Sequence, residues 1–554
     1  MVVSIHRARA GSYYEKDAYY AKEYEQAEFQ GEGAKEIGIA GQPYSERLYQ
    51  KLFEGELPDG TQIARKFRLI EEKRAPSSKK NPVDNDTAEE SDTDRKKGEL
   101  VHAGGQDITF SAPKSVSILA FCSDDSRVRN DMMTAHKEAQ REAIKWLEKE
   151  CAAVNIYKDR KIAETQKTGN LIVSSFTHDS SRPVKMPDGT ISIDPQLHTH
   201  SIVHNITKDN DGKWRAVAFR DFYTNKMLAG AIYHNALERN LHEKGYATEH
   251  NKDTTFEVKG VPTEAIEKHS QRRHTIETYA KKNGIDLSNA KQMADVTKNT
   301  RVSKKEVDTD KLHAAWRESG REHHLTREML TGDRPAVPAI LSQEVIRQAT
   351  DHTSERKAVL TEREILLESI RQNGGHHTTA TLEAGIEDMK KRGELIETSD
   401  GRIATQKQIE AECRLLAAVR DGKGAVLPLL KPEQVDFSGY QQQRGFELSS
   451  GQKAASEEIL ITSDRYIAIQ GYAGAGKTTF LQHSAEQLEA RGDCTVRGFA
   501  PSAAAAAVLE KETGIKSQTI DSFLQEAKNL TPEPGRREVW IIDESSMLSS
   551  RKAA

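Results

Sequence analysis

The sequence predicts an α+β fold followed by a helical connector and a partial α/β unit. Three observations carry this. Two β-type runs, 171–178 and 197–207, flank the turn signal Pro187-Asp188-Gly189, the pattern of an antiparallel pair. From Ser450 onward the chain alternates helix, apolar strand, glycine-rich turn and helix, which is α/β patterning. The length of 554 residues, at ~100–200 residues per domain, leaves room for roughly three to five domains. The expected boundaries are 1–300 for an antiparallel sheet with helices, 301–440 for a helical, winged-helix-like connector, and 441–554 for the α/β part.

Taken in order, residues 45–53 have the pattern of a short amphipathic helix. Residues 72–100 hold almost nothing apolar and read as a solvated loop. The run Asp107–Leu119 reads as strand-like, and an Ala-, Glu-, Lys- and Arg-rich helix follows from Ser126 to Cys151. A further helix is expected from Thr224 to Lys244. Residues 300–350 are charged and helical. Residues 361–404 give helix, turn, helix, then a hairpin about Asp400-Gly401, an order that suits either a winged helix or a plain helical connector. Residues 424–446, with Pro428, Pro432 and three consecutive glutamines, read as a linker.

Bulk composition excludes several classes. No run of ~18 apolar residues occurs, so no membrane-spanning helix and no membrane insertion are expected. The N-terminus lacks the apolar stretch of a secretory signal. Cys122, Cys151, Cys413 and Cys494 have no paired spacing, which argues against disulfides and a cysteine zinc site and for a reducing, cytoplasmic setting. The net charge of -4 gives no bulk signal for nucleic acid, so any such role must reside in local sites.

The sharpest local signal is 466–479, an apolar run followed by Gly471, four residues, Gly476, Lys477 and Thr478, then a helix. This is a full phosphate-loop pattern between the strand and helix it requires. Backbone N–H groups of the loop would cradle phosphates, with Gly474 and Thr479 part of the same turn. Lys477 would reach the β- and γ-phosphates, and Thr478 would bind Mg²⁺, so the expected ligand is ATP with Mg²⁺. Downstream, the apolar run 539–542 ends in Asp543-Glu544, either a surface pair at a strand end or the acidic pair of such a site. In the second case Asp543 serves the Mg²⁺ shell and Glu544 polarises the attacking water. Together they predict a partial P-loop NTPase (RecA-like) domain.

Two further clusters admit more than one reading. His198 and His200 share a strand face about 6.6 Å apart, and an antiparallel partner can bring His178 beside them. His204 has the same parity but lies ~13 Å further along. Three imidazoles on one face can hold a divalent metal with open positions, although surface histidines are common. At the N-terminus, Tyr13, Tyr14, Tyr19 and Tyr20 fall within eight residues. They form either an aromatic stripe packed on a sheet or a set of phenol nucleophiles able to hold a covalent phosphotyrosine beside a metal.

These residues, together with Gly31-Glu32-Gly33-Ala34, the block Asp107–Ser117, Phe176–Arg182 and Asp194–His200, resemble the MobF-type conjugative relaxases (TraI/TrwC-like). The C-terminal part resembles the RecD-like helicase domain of that family through Gln452, Phe499-Ala-Pro-Ser502 and Asp543–Met547. The resemblance implies an α+β relaxase domain and metal-dependent, site- and strand-specific nicking of a plasmid transfer origin. Tyrosine becomes linked to the 5′ phosphate, and the ends are later rejoined. It implies Tyr13 as first nucleophile and Tyr14, Tyr19 or Tyr20 for a second transfer, with His178, His198 and His200 as metal ligands. The metal would be Mg²⁺ or Mn²⁺, with Zn²⁺ or Ni²⁺ as alternatives. Asp107 would orient a ligating histidine and take the tyrosine proton; Lys114 and Arg182 would contact phosphate or simply be solvated. Gln452 would lie on the adenine side of the nucleotide.

The implied partners are single-stranded or hairpin DNA of the origin, relaxosome accessory proteins and a type IV secretion coupling protein. The implied location is the cytoplasm of a bacterial donor cell, with translocation alongside the DNA. Departures from the family are the four-residue spacer between the tyrosine pairs, the extra segment Pro183–Ser192, and His204 as a spare ligand. Ten residues follow Glu544, so the helicase part is expected to be interrupted, keeping nucleotide contacts without coupled unwinding. The competing expectations are an ATP-driven DNA motor whose N-terminal region only docks DNA, and a non-catalytic DNA-binding fragment.

Overall fold

A computed structural model describes residues 3–8, 27–63, 104–159, 161–186, 188–251, 253–287, 289–300, 309–331, 341–355, 357–472, 474–527 and 537–554. The tyrosine segment and the polar 72–100 stretch lie outside these residues. The chain divides into two compact units, residues 1–346 with 366–384, and residues 347–365 with 385–554.

Among its described residues, the first unit begins with the strands β1 (Val3–Arg7), β2 (Glu28–Gln30), β3 (Gly105–Ser111), β4 (Ala153–Lys158), β5 (Lys161–Lys167), β6 (Val173–Ser180), β7 (Val184–Lys185), β8 (Ile191–Ser192) and β9 (Pro195–His204), nine in all before the short hairpins further along. Five of them form one antiparallel sheet in the order β1-β3-β9-β6-β2. The remaining four of the nine form the hairpins β4–β5 and β7–β8. The extra segment is the second of these. Gly189 takes a left-handed φ of 86° at its turn, and Asp188 accepts from Thr190 N at 2.9 Å.

Helices Ser126–Cys151 and Arg220–Glu243 cover one face of the sheet. Both lie close to their sequence-expected positions because each carries a continuous buried stripe, from Val128 to Cys151 and from Phe222 to Leu241. The helix over Glu46–Phe53 also forms as expected, with Ser45 accepting from Leu48 N at its start.

The expected strand over Asp107–Leu119 needs correction. β3 stops at Ser111, and Lys114–Cys122 is a helix. Pro113 has no N–H to give a ladder, and its φ of -53° suits the residue before a first turn. Ser117 Oγ then donates back to Pro113 O at 3.1 Å. The serine–apolar alternation that reads as a strand is a helix buried on nearly every side.

Glycines 31 and 33 allow a close approach. A Cβ on Gly31, whose φ is +103°, would lie 2.4 Å from Leu171 O. Buried Glu148 accepts from both Glu32 N and Leu171 N, at 2.7 and 2.6 Å, and ties this turn to the head of β6.

In the second unit, the hairpin about Asp400-Gly401 forms from Leu395–Glu397 and Ile403–Thr405, with Leu360 bridged to Ile403. A three-stranded parallel sheet runs in the order Ser517–Thr519, Cys494–Ala500, Arg537–Ile542. The stretch expected to be a linker, 424–446, instead packs on this unit. Leu430 is buried with Leu460, Leu488 and Ile541, and Phe437–Arg444 is a helix whose Tyr440 is buried. Its prolines mark bends between buried anchors, which composition alone does not distinguish from a linker.

Candidate metal centre and phosphate loop

The two central strands of the sheet assemble the histidines. β6 and β9 are antiparallel, with His178 opposite His198 and Phe176 opposite His200. Even-numbered residues of both strands therefore share one face. The three ring centroids lie 5.0 to 5.3 Å apart, and one ligating atom from each lies within 4.8 Å of the others. Among the described residues this is the one group of three or more His, Cys, Asp or Glu side chains so placed. A bulge directly after His178 bends the strand there, a frequent device for aiming a side chain.

Two of these histidines have their tautomers set by neighbours. His200 Nδ1 lies 2.8 Å from Asp107 Oδ2, and Thr109 Oγ1 donates to Asp107 Oδ1 at 3.3 Å. His198 Nδ1 lies 2.8 Å from the carbonyl of Gln196. Both neighbours accept, so each Nδ1 carries the proton and each Nε2 keeps its lone pair. Burial, with His200 nearby, lowers the pKa of His198 to about 4, so it is neutral at neutral pH, as a metal ligand must be. The donor set fits a divalent first-row metal.

The other expected residues divide. Asp107 joins the triad through β3. Arg182 follows β6, half-buried, at the start of the β7–β8 excursion. Lys114 donates to Pro195 O at 2.9 Å, and desolvation lowers its pKa. It ties the head of β9 to the start of the Lys114–Cys122 helix, which is the use the structure shows for its ammonium. His204 does not join the triad. It meets Ser174 Oγ at 2.7 Å and packs edge-on to Tyr49 at 5.2 Å.

The sequence reading missed Thr109, Gln196 and the pair of Asp179 with His313 at 2.6 Å. Thr109 was accessible, since it lies two residues from Asp107 and so shares its face. The Asp179–His313 pair spans 134 positions and carries no local signal.

The phosphate loop forms in part. Gly474 and Gly476 take left-handed φ of 77° and 74°, and helix Lys477–Glu489 starts directly after them. Lys477 Nζ donates to Gly471 O at 3.2 Å, Gln452 Nε2 to Gly476 O at 3.1 Å, and Thr478 to Glu512 at 3.1 Å. Thr479 lies in the first turn of the helix, and Asp543 and Glu544 follow strand Arg537–Ile542. The buried strand expected before the loop is absent. Residues 466–470 are irregular, and Ile467 and Ile469 are 38% and 39% exposed. A parallel strand is held by hydrogen bonds from its neighbours, and no described strand pairs with this one.

Residues 7–323 match the family described as TrwC relaxase, and residues 447–554 match the AAA domain family. The multifunctional conjugation protein TraI of Escherichia coli (strain K12) is 29% identical over 415 residues, 70% of this chain and 20% of TraI. The conjugal transfer protein TraA of Rhizobium radiobacter is 32% identical over 158 residues, 28% of this chain and 14% of TraA. The chain thus spans about a fifth of the length of the TraI relatives it matches. A structure described as conjugative relaxase TrwC in complex with oriT DNA, metal-bound, is 27% identical, with a TM-score of 0.45, covering 58% of this chain and 98% of that one. The first of these matches spans more than half of the sequence, and the chain belongs to the TrwC relaxase family.

Proposed function

We propose that this chain is a conjugative DNA relaxase that nicks one strand of a transfer origin by tyrosine transesterification. The observation that carries this is the histidine triad on β6 and β9, with His200 fixed by Asp107. The phenol of Tyr13 attacks the scissile phosphorus. A bond forms from its oxygen to phosphorus, the bond to the 3′ oxygen breaks, and the 3′ hydroxyl leaves with a proton. The DNA 5′ phosphate remains on tyrosine, and the reverse step rejoins the ends. His178, His198 and His200 would hold a divalent cation, which when bound supplies Lewis-acid polarisation of the phosphate. Asp107 keeps His200 in its Nδ1–H tautomer and accepts the tyrosine proton. Arg182 contacts the DNA backbone, and Lys114, at the start of the Lys114–Cys122 helix, is the second candidate for a phosphate contact. Tyr14, Tyr19 and Tyr20 are the candidates for a second transfer.

The substrate is origin DNA, single-stranded or extruded as a hairpin, bound with strong salt dependence. The phosphate loop, with Gly471, Gly474, Gly476, Lys477, Thr478 and Thr479, binds ATP with Mg²⁺, flanked by Gln452, Asp543 and Glu544. Accessory relaxosome proteins, a secretion coupling protein and a cytoplasmic donor-cell location complete the reading. The test is incubation with labelled candidate origin strands in Mg²⁺ or Mn²⁺. A covalent protein–DNA adduct is expected; no adduct on any strand of the panel, with the protein folded, overturns the reading.

A further inference from the structure

Beneath the triad, on the opposite face of β6 and β9, lies a row of polar side chains that the chemistry does not use. Thr177 and Thr199 stand opposite each other, with their hydroxyls 2.9 Å apart. They are the chain neighbours of His178, His198 and His200. Fully buried His136, from helix Ser126–Cys151, reaches Thr199 Oγ1 through Nε2 at 2.7 Å and Tyr233 OH through Nδ1 at 2.7 Å. One turn along the same helix, Gln140 donates to Ser201 Oγ at 2.8 Å and Ser175 Oγ at 3.2 Å.

The directions of these bonds can be assigned. Buried Tyr233 donates to Nδ1, the Nε2–H of His136 donates to Thr199, and Thr199 donates to Thr177. Thr177 is half-exposed and can pass its own hydrogen to water. The opposite direction would leave the buried Tyr233 hydroxyl hydrogen without an acceptor among the described residues.

This row can do what an apolar face cannot. A slip of β6 against β9 by two residues keeps every side chain on its own face, so burial alone resists it weakly. Such a slip toward the head of β9 would put His178 opposite Gln196, two residues further from His200, and take the triad apart. It would also place Thr177 against Leu197 and carry Ser175 opposite Thr199. Buried donors and acceptors would then be mismatched, which costs far more than an exchange of apolar contacts.

We propose that His136 is a positioning residue for the metal ligands, holding the β6–β9 register through Thr199 and Thr177. The proposal rests on the reading of the triad as a metal site. Its test is titration of the purified full chain with Co²⁺, read by visible absorption and calorimetry, beside a thermal melt. His136→Leu is expected to lose about 10–100-fold in Co²⁺ affinity, the range for groups that orient ligands. His136→Gln, able to keep the bond to Thr199, is expected to stay within about threefold of wild type, with the same absorption spectrum. Leu237→Ala, in the core of the Arg220–Glu243 helix, should lower the melting temperature and leave Co²⁺ affinity unchanged. Wild-type affinity in a folded His136→Leu variant overturns the proposal. So does an equal loss of affinity in Leu237→Ala, which would reduce His136 to general stability. If His136→Leu fails to fold, Thr199→Val, which removes the same bond, decides by the same readout. Failure of wild type to bind Co²⁺ would instead sink the metal-site reading itself.

Discussion

The two units carry comparable sequence signals, and the structure treats them differently. In the first, each strand that bears a triad histidine or Asp107 is interior to the sheet and paired on both sides: β3 between β1 and β9, β9 between β3 and β6, β6 between β9 and β2. In the second, the loop has its left-handed glycines and following helix, yet residues 466–470 before it form no strand and lie exposed. Motif residues specify local turns. Delivery of their side chains to one point depends on the hydrogen-bonded neighbours of the strands that bear them.

Variants in each unit test whether strand pairing decides which site works. The largest effect is expected for Tyr13→Phe, which removes the attacking oxygen and should reduce adduct formation by about 1,000-fold or more on a denaturing gel. Full adduct yield in that variant would remove Tyr13 from its role while leaving the family intact. Next, His200→Ala or thorough chelation with EDTA should cut nicking by about 100-fold or more, with activity returning to the chelated wild type on adding Mn²⁺. Nicking that survives chelation would mean the triad is structural.

Asp107→Asn keeps the shape but weakens the acceptor for His200 Nδ1, so a loss of about 10–100-fold in metal affinity is expected by calorimetry. Gly31→Ala places a Cβ against Leu171 O at a left-handed φ and should destabilise the first unit by about 1–3 kcal/mol in denaturant unfolding. An unchanged midpoint would show that the turn at Leu171 yields. The smallest effect on nicking is expected for Lys477→Ala. It should abolish ATP binding and leave adduct formation as in wild type, and a loss of nicking in a folded variant would contradict separate chemistries.

Much of the first unit was legible in advance. His198 and His200 show their common face by period two, and the turn signal before them fixes the sense of pairing that brings in His178. The long helices were legible because each has a continuous apolar stripe. The alternation in 113–119 misled, since a helix buried on all sides has no polar face to betray its period. The linker reading of 424–446 failed for a related reason, as sparse apolar anchors among prolines look the same packed or free.

The sequence by itself determined the family, the ligand types and the phosphate-loop turn, because these depend on residue chemistry and short spacings. Tertiary structure decided what lies far apart along the chain. It placed Asp107 on His200 across 93 positions and excluded His204 from the triad by giving it Ser174. It also set His136 under Thr199 and paired no described strand with residues 466–470. Such pairings are fixed by strand order and by the burial of polar groups that must find partners, and neither is written in any local stretch of residues.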